Sequence, residues 1–171
     1  MSHRGIRPTL WLALALALAL GGCATLQQLV QPLSFSAAPG QQAQLRLLGP
    51  SAQQPLGGVG VRLWARVQNP NPLGVSLTHL TGNLFLENSQ AGTVDLPLGL
   101  ALQANGETTF PVDVSISFSQ IPALAGTLGR ALGGSAVPYR LDGRFSVAAG
   151  ALGAFDFGPT TLLTGNATVF R

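Results

Sequence analysis

Beyond residue 58 the chain alternates apolar and polar residues with a period of two. Val59, Val61, Leu63, Ala65 and Val67 fall on one face of an extended segment, and Gly60, Arg62, Trp64, Arg66 and Gln68 on the other. Successive side chains of a strand point to opposite sides, so this spacing predicts a strand with one buried face. Asn69-Pro70-Asn71-Pro72 stops it, because neither proline can donate to a ladder and asparagine favours turns. The alternation resumes with Leu80, Gly82, Leu84 and Leu86 against Thr81, Asn83, Phe85 and Glu87, and a short strand follows at 93–98. Thr108, Phe110, Val112, Val114, Ile116 and Phe118 then face Thr109, Pro111, Asp113, Ser115 and Ser117. Pro111, on the polar face, marks an edge or a bulge.

The period changes once. Ile121, Leu124, Ala125, Leu128 and Leu132 recur at spacings of three and four or close to them, with Pro122 near the first turn and Gly133-Gly134 behind, which predicts a short helix. Strand period returns with Tyr139, Leu141, Gly143, Phe145 and Val147 against Arg140, Asp142, Arg144 and Ser146, and two strands at 154–157 and 161–170 close the chain. Before residue 58 only 43–48 suggests a strand. Seven or so short strands with turn signals about every ten residues predict an all-β, antiparallel sandwich with one short helix.

The first residues have a different character. Arg4 and Arg7 precede an uncharged apolar run, residues 10–20, which leads into Leu20-Gly21-Gly22-Cys23. A basic start, about a dozen apolar residues and small residues before a cleavage point mark an export signal. The run falls short of the roughly 20 residues that cross a membrane. Gly21-Gly22-Cys23 resembles the bacterial lipobox, which implies that the Cys23 thiol takes a diacylglyceryl group and begins the mature chain. Residues 1–22 are therefore expected to be the signal and 23–42, rich in Gln, Ser, Pro and Ala, a lipidated tether. Residues 43–171 are expected to form the domain. Ala24 stands where an aspartate would signal inner-membrane retention in many such lipoproteins, which leaves outer-membrane sorting open.

Composition narrows the choice of function. Cys23 is the only cysteine, so no intramolecular disulfide can form. The net charge of +3 includes two signal arginines; the rest of the chain sets seven arginines against six acids. Those arginines are scattered and form no basic stripe, so no nucleic-acid partner is expected. There is no lysine, a bias that inflated Ala, Leu and Gly suggest is genomic.

Candidate chemistry is sparse. His79 is the only histidine after residue 22 and sits beside a turn, too few soft ligands for zinc and too few partners for a Ser-His-Asp triad. Asp142 lies between Arg140 and Arg144 on one strand face, an expected solvated charge ladder. Trp64, flanked by Arg62 and Arg66, offers a stacking platform for a sugar or an aromatic ligand, but partial burial beneath the helix or the tether is the stronger expectation. The glycines around Gly57 precede a strand instead of opening a helix, the wrong context for a dinucleotide loop. No catalytic residue, cofactor or metal is expected.

Val67-Gln68-Asn69-Pro70-Asn71-Pro72 followed by Leu77, Leu80, Gly82, Leu84 and Leu86 resembles the water-stress and hypersensitive-response (WHy) domain of the group 2 late embryogenesis abundant family. The segment 108–118 is similar to that family's Thr-x-x-x-Val-x-Val strand, 120–132 to its helix, and 139–147 to its Tyr-x-Leu-x-Gly strand. The resemblance spans 43–171 and implies an Ig-like, fibronectin-III-like sandwich of about seven strands with one helix. It further implies a non-enzymatic role in desiccation or osmotic stress, by stabilising proteins or membranes. With the anchor, this becomes an envelope lipoprotein attached to the membrane through Cys23, with envelope proteins as clients. The alternative is an envelope binding or assembly module that holds a specific protein or an apolar ligand.

Overall fold

The computed structural model describes residues 30–52, 55–117 and 124–169. Eight strands run in the order β1 (Ser34–Ala37), β2 (Ala43–Leu48), β3 (Gly58–Gln68), β4 (Val75–Leu86), β5 (Ser89–Leu102), β6 (Glu107–Ser117), β7 (Val137–Ala148) and β8 (Ala154–Val169), with helix α1 (Ala125–Leu132) between β6 and β7. Period-two alternation produces these strands directly. On β3, Val59, Val61, Leu63, Ala65 and Val67 are all buried, as are Leu77, Leu80, Leu84 and Leu86 on β4 and Val112, Val114 and Ile116 on β6. Phe118 and Ile121 lie outside the described residues.

The architecture corrects the expected sandwich of about seven antiparallel strands. All eight strands join one mixed sheet, because Ala43–Leu45 of β2 run parallel to Ala167–Val169 of β8 and tie together what would otherwise be two antiparallel halves. β3 is central. β6 pairs with it along one edge from Gly58 to Gln68, while β1 and β2 share the other edge end to end, β1 against residues 65–68 and β2 against 58–62. From there the order continues through β8, β7 and β4 to β5. The predicted strands at 154–157 and 161–170 are one strand, and 93–98 is the middle of a longer one. β6 pairs only with β3 among the described residues, which leaves Pro111 on an edge strand as expected.

β1 also corrects the tether, since residues 34–37 belong to the sheet. Phe35 crosses the apolar face to reach Phe145 of β7, ring centroids 4.9 Å apart, and Phe145 stacks in turn on Phe157 of β8 at 5.2 Å. β1 and β7 are not neighbours in the sheet, so this contact requires the sheet to curl around its apolar side. Aromatic burial of this kind dominates small cores.

Candidate functional site

The outward residues form two polar faces, and the residues singled out from the sequence divide between them. Trp64 stands on β3 opposite Pro111 of β6. Arg62 makes a two-pronged ion pair with Asp113, Nε to Oδ1 at 2.7 Å and Nη2 to Oδ2 at 2.8 Å. Arg66 pairs with Glu107. Both arginines are therefore committed to acids on either side of the indole. Trp64 is half-buried and its Nε1 has no acceptor among the described residues. Partial burial beneath the helix or the tether is the expectation; α1 packs chiefly on β7 and β8, while β1, within the expected tether residues, lies beside Trp64 in the sheet and Ala38 N–H donates to the Trp64 carbonyl. The Arg62 hydrogen bond holds the Asp113 carboxyl below the usual carboxylate range, against its partial burial.

The second face covers β5, β4, β7 and β8. Asp142 accepts from Thr161 Oγ1 at 2.7 Å and from Arg140 Nε at 2.8 Å. These bonds, the Thr161 hydroxyl first, lower its pKa. Arg140 also lies over the Phe85 ring, 4.9 Å from its centroid. Arg144 is different: among the described residues its guanidinium makes no ion pair or hydrogen bond. The expected ladder thus has two members plus a threonine, and its third member stands apart.

His79 is on β4 itself, at an irregularity in both of its ladders, and corrects the expected position beside a turn. Its Nε2 lies 2.5 Å from Asp95 Oδ1, and Ser146 on the same face donates to Asp156. Each of the six acids thus has a partner: Asp95 with His79, Asp156 with Ser146, Glu87 with Arg130 and Thr127, and the three described above. Among the described residues no group of three His, Cys, Asp or Glu side chains could hold a metal ion. Cys23 lies outside the described residues.

Two constellations escaped the sequence reading. Asn69 and Asn71 are fully buried. The Asn69 amide donates to the carbonyls of Leu73 (2.8 Å) and Gln103 (2.9 Å), while its Oδ1 accepts from the backbone N–H and side-chain amide of Asn71. Asn105 N–H closes the node on the Asn71 carbonyl, so the motif clamps the β3–β4 loop to the β5–β6 loop. The doubled Asn-Pro was the available signal, since asparagine is seldom buried without partners. The other is Glu87, which follows β4 with φ 54° and holds α1 through Arg130 and Thr127. Those two bonds, Arg130 first, lower its pKa. Nothing in local sequence links residues 40 positions apart.

The fold and its outer faces define a largely β protein in which Arg62, Arg66, Arg130 and Arg140 are each paired with a carboxylate. The late embryogenesis abundant protein family (LEA_2) matches residues 65–160, more than half of the chain. The chain belongs to that family, which is generally non-enzymatic and stress-related. It is similar in fold to the solution structure of AT1g01470 from Arabidopsis thaliana, at 16% identity and a TM-score of 0.51, over 83% of this chain and 82% of that one. It also matches the solution structure of a late embryogenesis abundant protein, At2g46140.1, at 13% identity and a TM-score of 0.49, over 89% of this chain and 78% of that one. No curated protein matches the chain.

Proposed function

We propose that this protein is a non-enzymatic envelope lipoprotein that protects proteins or membranes during desiccation or osmotic stress, anchored through acylated Cys23. The observation that carries the protective role is family membership over 65–160. The anchor rests on Leu20-Gly21-Gly22-Cys23 behind a basic, apolar leader. Two or three acyl chains would hold it stably, since each buried CH₂ contributes about 0.8 kcal/mol. The outer faces suit a broad protective effect, because most of their charges are paired within the sheet and leave no strong field to select one client.

Deletion of the gene followed by drying and osmotic challenge tests the reading. Complementation by the wild type should restore survival, and a Cys23→Ala copy should fail to. Full rescue by Cys23→Ala would remove the anchor from the account. Mass spectrometry of the native protein should show an acylated peptide beginning at Cys23.

A further inference from the structure

On the second face, Gly82 of β4 lies directly opposite Gly143 of β7. A Cβ on Gly82 would sit 2.6 Å from the Asp142 carbonyl oxygen, and one on Gly143 would run into the Thr81 carbonyl. The two backbones therefore approach more closely here than a residue with a Cβ would allow. Beside this close approach lies an open trough of about 600 Å³ flanked by Thr81, Asn83, Thr93, Asp95, Asp142 and Arg144. A second hollow of about 260 Å³ beside His79 shares Thr81 and Arg144 with it.

The lining specifies a kind of ligand. Arg144 keeps its five N–H donors free of protein partners among the described residues, and Asn83 uses its carbonyl oxygen on Gln90, which leaves its amide to donate. Asp95 and Asp142 each retain unused lone pairs, and Thr81 and Thr93 supply exposed hydroxyls. Donors and acceptors therefore alternate around the trough. Three carboxylates (Asp95, Asp142 and Asp156) offset the guanidinium groups of Arg140 and Arg144, so an anion gains no net attraction. Among the described residues a metal ion lacks its set of ligands. The volume is that of an ordinary small-molecule site.

We propose that this trough binds a neutral, hydroxyl-rich saccharide, its hydroxyls donating to Asp95 and Asp142 and accepting from Arg144 and Asn83. The chemistry is shared by a free disaccharide and by one or two units of an envelope glycan. Binding here does not require the anchor at Cys23.

The full chain in a detergent without a sugar headgroup should be titrated by NMR with trehalose, with N-acetylglucosamine trimer and with inorganic phosphate. A saccharide should shift the amides of 81–83, 93–95 and 142–144 and saturate in the millimolar range. Saturation by trehalose alone assigns a free solute; saturation by the trimer alone assigns a glycan. Arg144→Ala and Asn83→Ala should each weaken binding roughly tenfold, the loss of one good hydrogen bond, with an unchanged melting temperature. Arg46→Ala, on the opposite side of the sheet order, should leave it unchanged. Saturation by phosphate instead, shifts that grow linearly without saturating, or unaltered binding by Arg144→Ala would each overturn the proposal.

Discussion

On β3, Arg62 lies directly opposite Asp113 of β6, and Arg66 has Glu107 at the diagonal position two residues from its own partner, Thr109. On β7, Arg144 lies opposite Thr81 of β4, and on its other side β8 skips out of register between Thr160 and Phe157. The same residue type, alternating along two similar strands, is thus locked into ion pairs around Trp64 and left free beside Gly143. What stands across the ladder decides, because a cross-strand neighbour lies about 5 Å away and can meet a side chain that points the same way. The arginines on either side of Trp64 are paired by its register. Arg144, beside Gly143, meets only Thr81 across the ladder.

The largest effect should come from the core beneath the open face. Phe145→Ala removes the ring that Phe35 and Phe157 both contact, and should cost about 3–5 kcal/mol in urea denaturation. Against a total of about 5–15 kcal/mol, protection of a dried reporter enzyme should disappear with the fold. Next comes Asn69→Ala, which removes the Oδ1 acceptor of the buried Asn71 and one donor to the part-buried Leu73 and Gln103 carbonyls, for about 1–3 kcal/mol. Phe35→Ala should be milder, because Phe35 is only half-buried. It loses one edge-to-face pair, about 0.5–1.5 kcal/mol beyond the lost burial, and a null result would return residues 34–37 to the tether.

Acid should act on both faces. Glu87, Asp113 and Asp142 have folded pKa values below their unfolded ones, 4.5 for Glu87 and 3.8 for the aspartates. Their stabilising contribution is therefore complete above about pH 5 and is lost as pH falls through 4 and below. The melting temperature should fall over that window, and Glu87→Gln should flatten the fall. A melt that rises on acidification would contradict the pairing of these acids.

The smallest effect sharpens the comparison most. A double-mutant cycle on Arg62 and Asp113 should give a small favourable coupling that salt weakens, as exposed pairs do, and one on Arg144 and Asp142 should give none. Trp64 is the only tryptophan after residue 22, so its fluorescence should shift to the red in Arg62→Ala and stay unchanged in Arg144→Ala. Client protection should survive single substitutions at His79, Asp142 and Trp64.

Much of this was legible beforehand. Alternation located β3, β4, β6 and β7 and their buried faces, since a period of two leaves only one face for the core. The break in period located α1, and Asn69-Pro70-Asn71-Pro72 located the turn. The turn's buried hydrogen bonds were not legible, because they depend on Gln103 and Asn105 arriving from the β5–β6 loop.

The sequence by itself determined the strand content, the apolar face, the family, and the scarcity of His, Cys and Lys side chains. Each of those is a property of residue type or local spacing. Tertiary structure alone decided that β1 and β2 share one edge of β3, that a parallel pair with β8 merges the halves, and that Phe35 packs against Phe145. It also decided that Asp142 takes Arg140 and Thr161 while Arg144 stands free over a trough. Arg140 and Arg144 are equally spaced from Asp142 along the chain. Only their cross-strand neighbours distinguish them, Phe85 beside Arg140 and Thr81 beside Arg144.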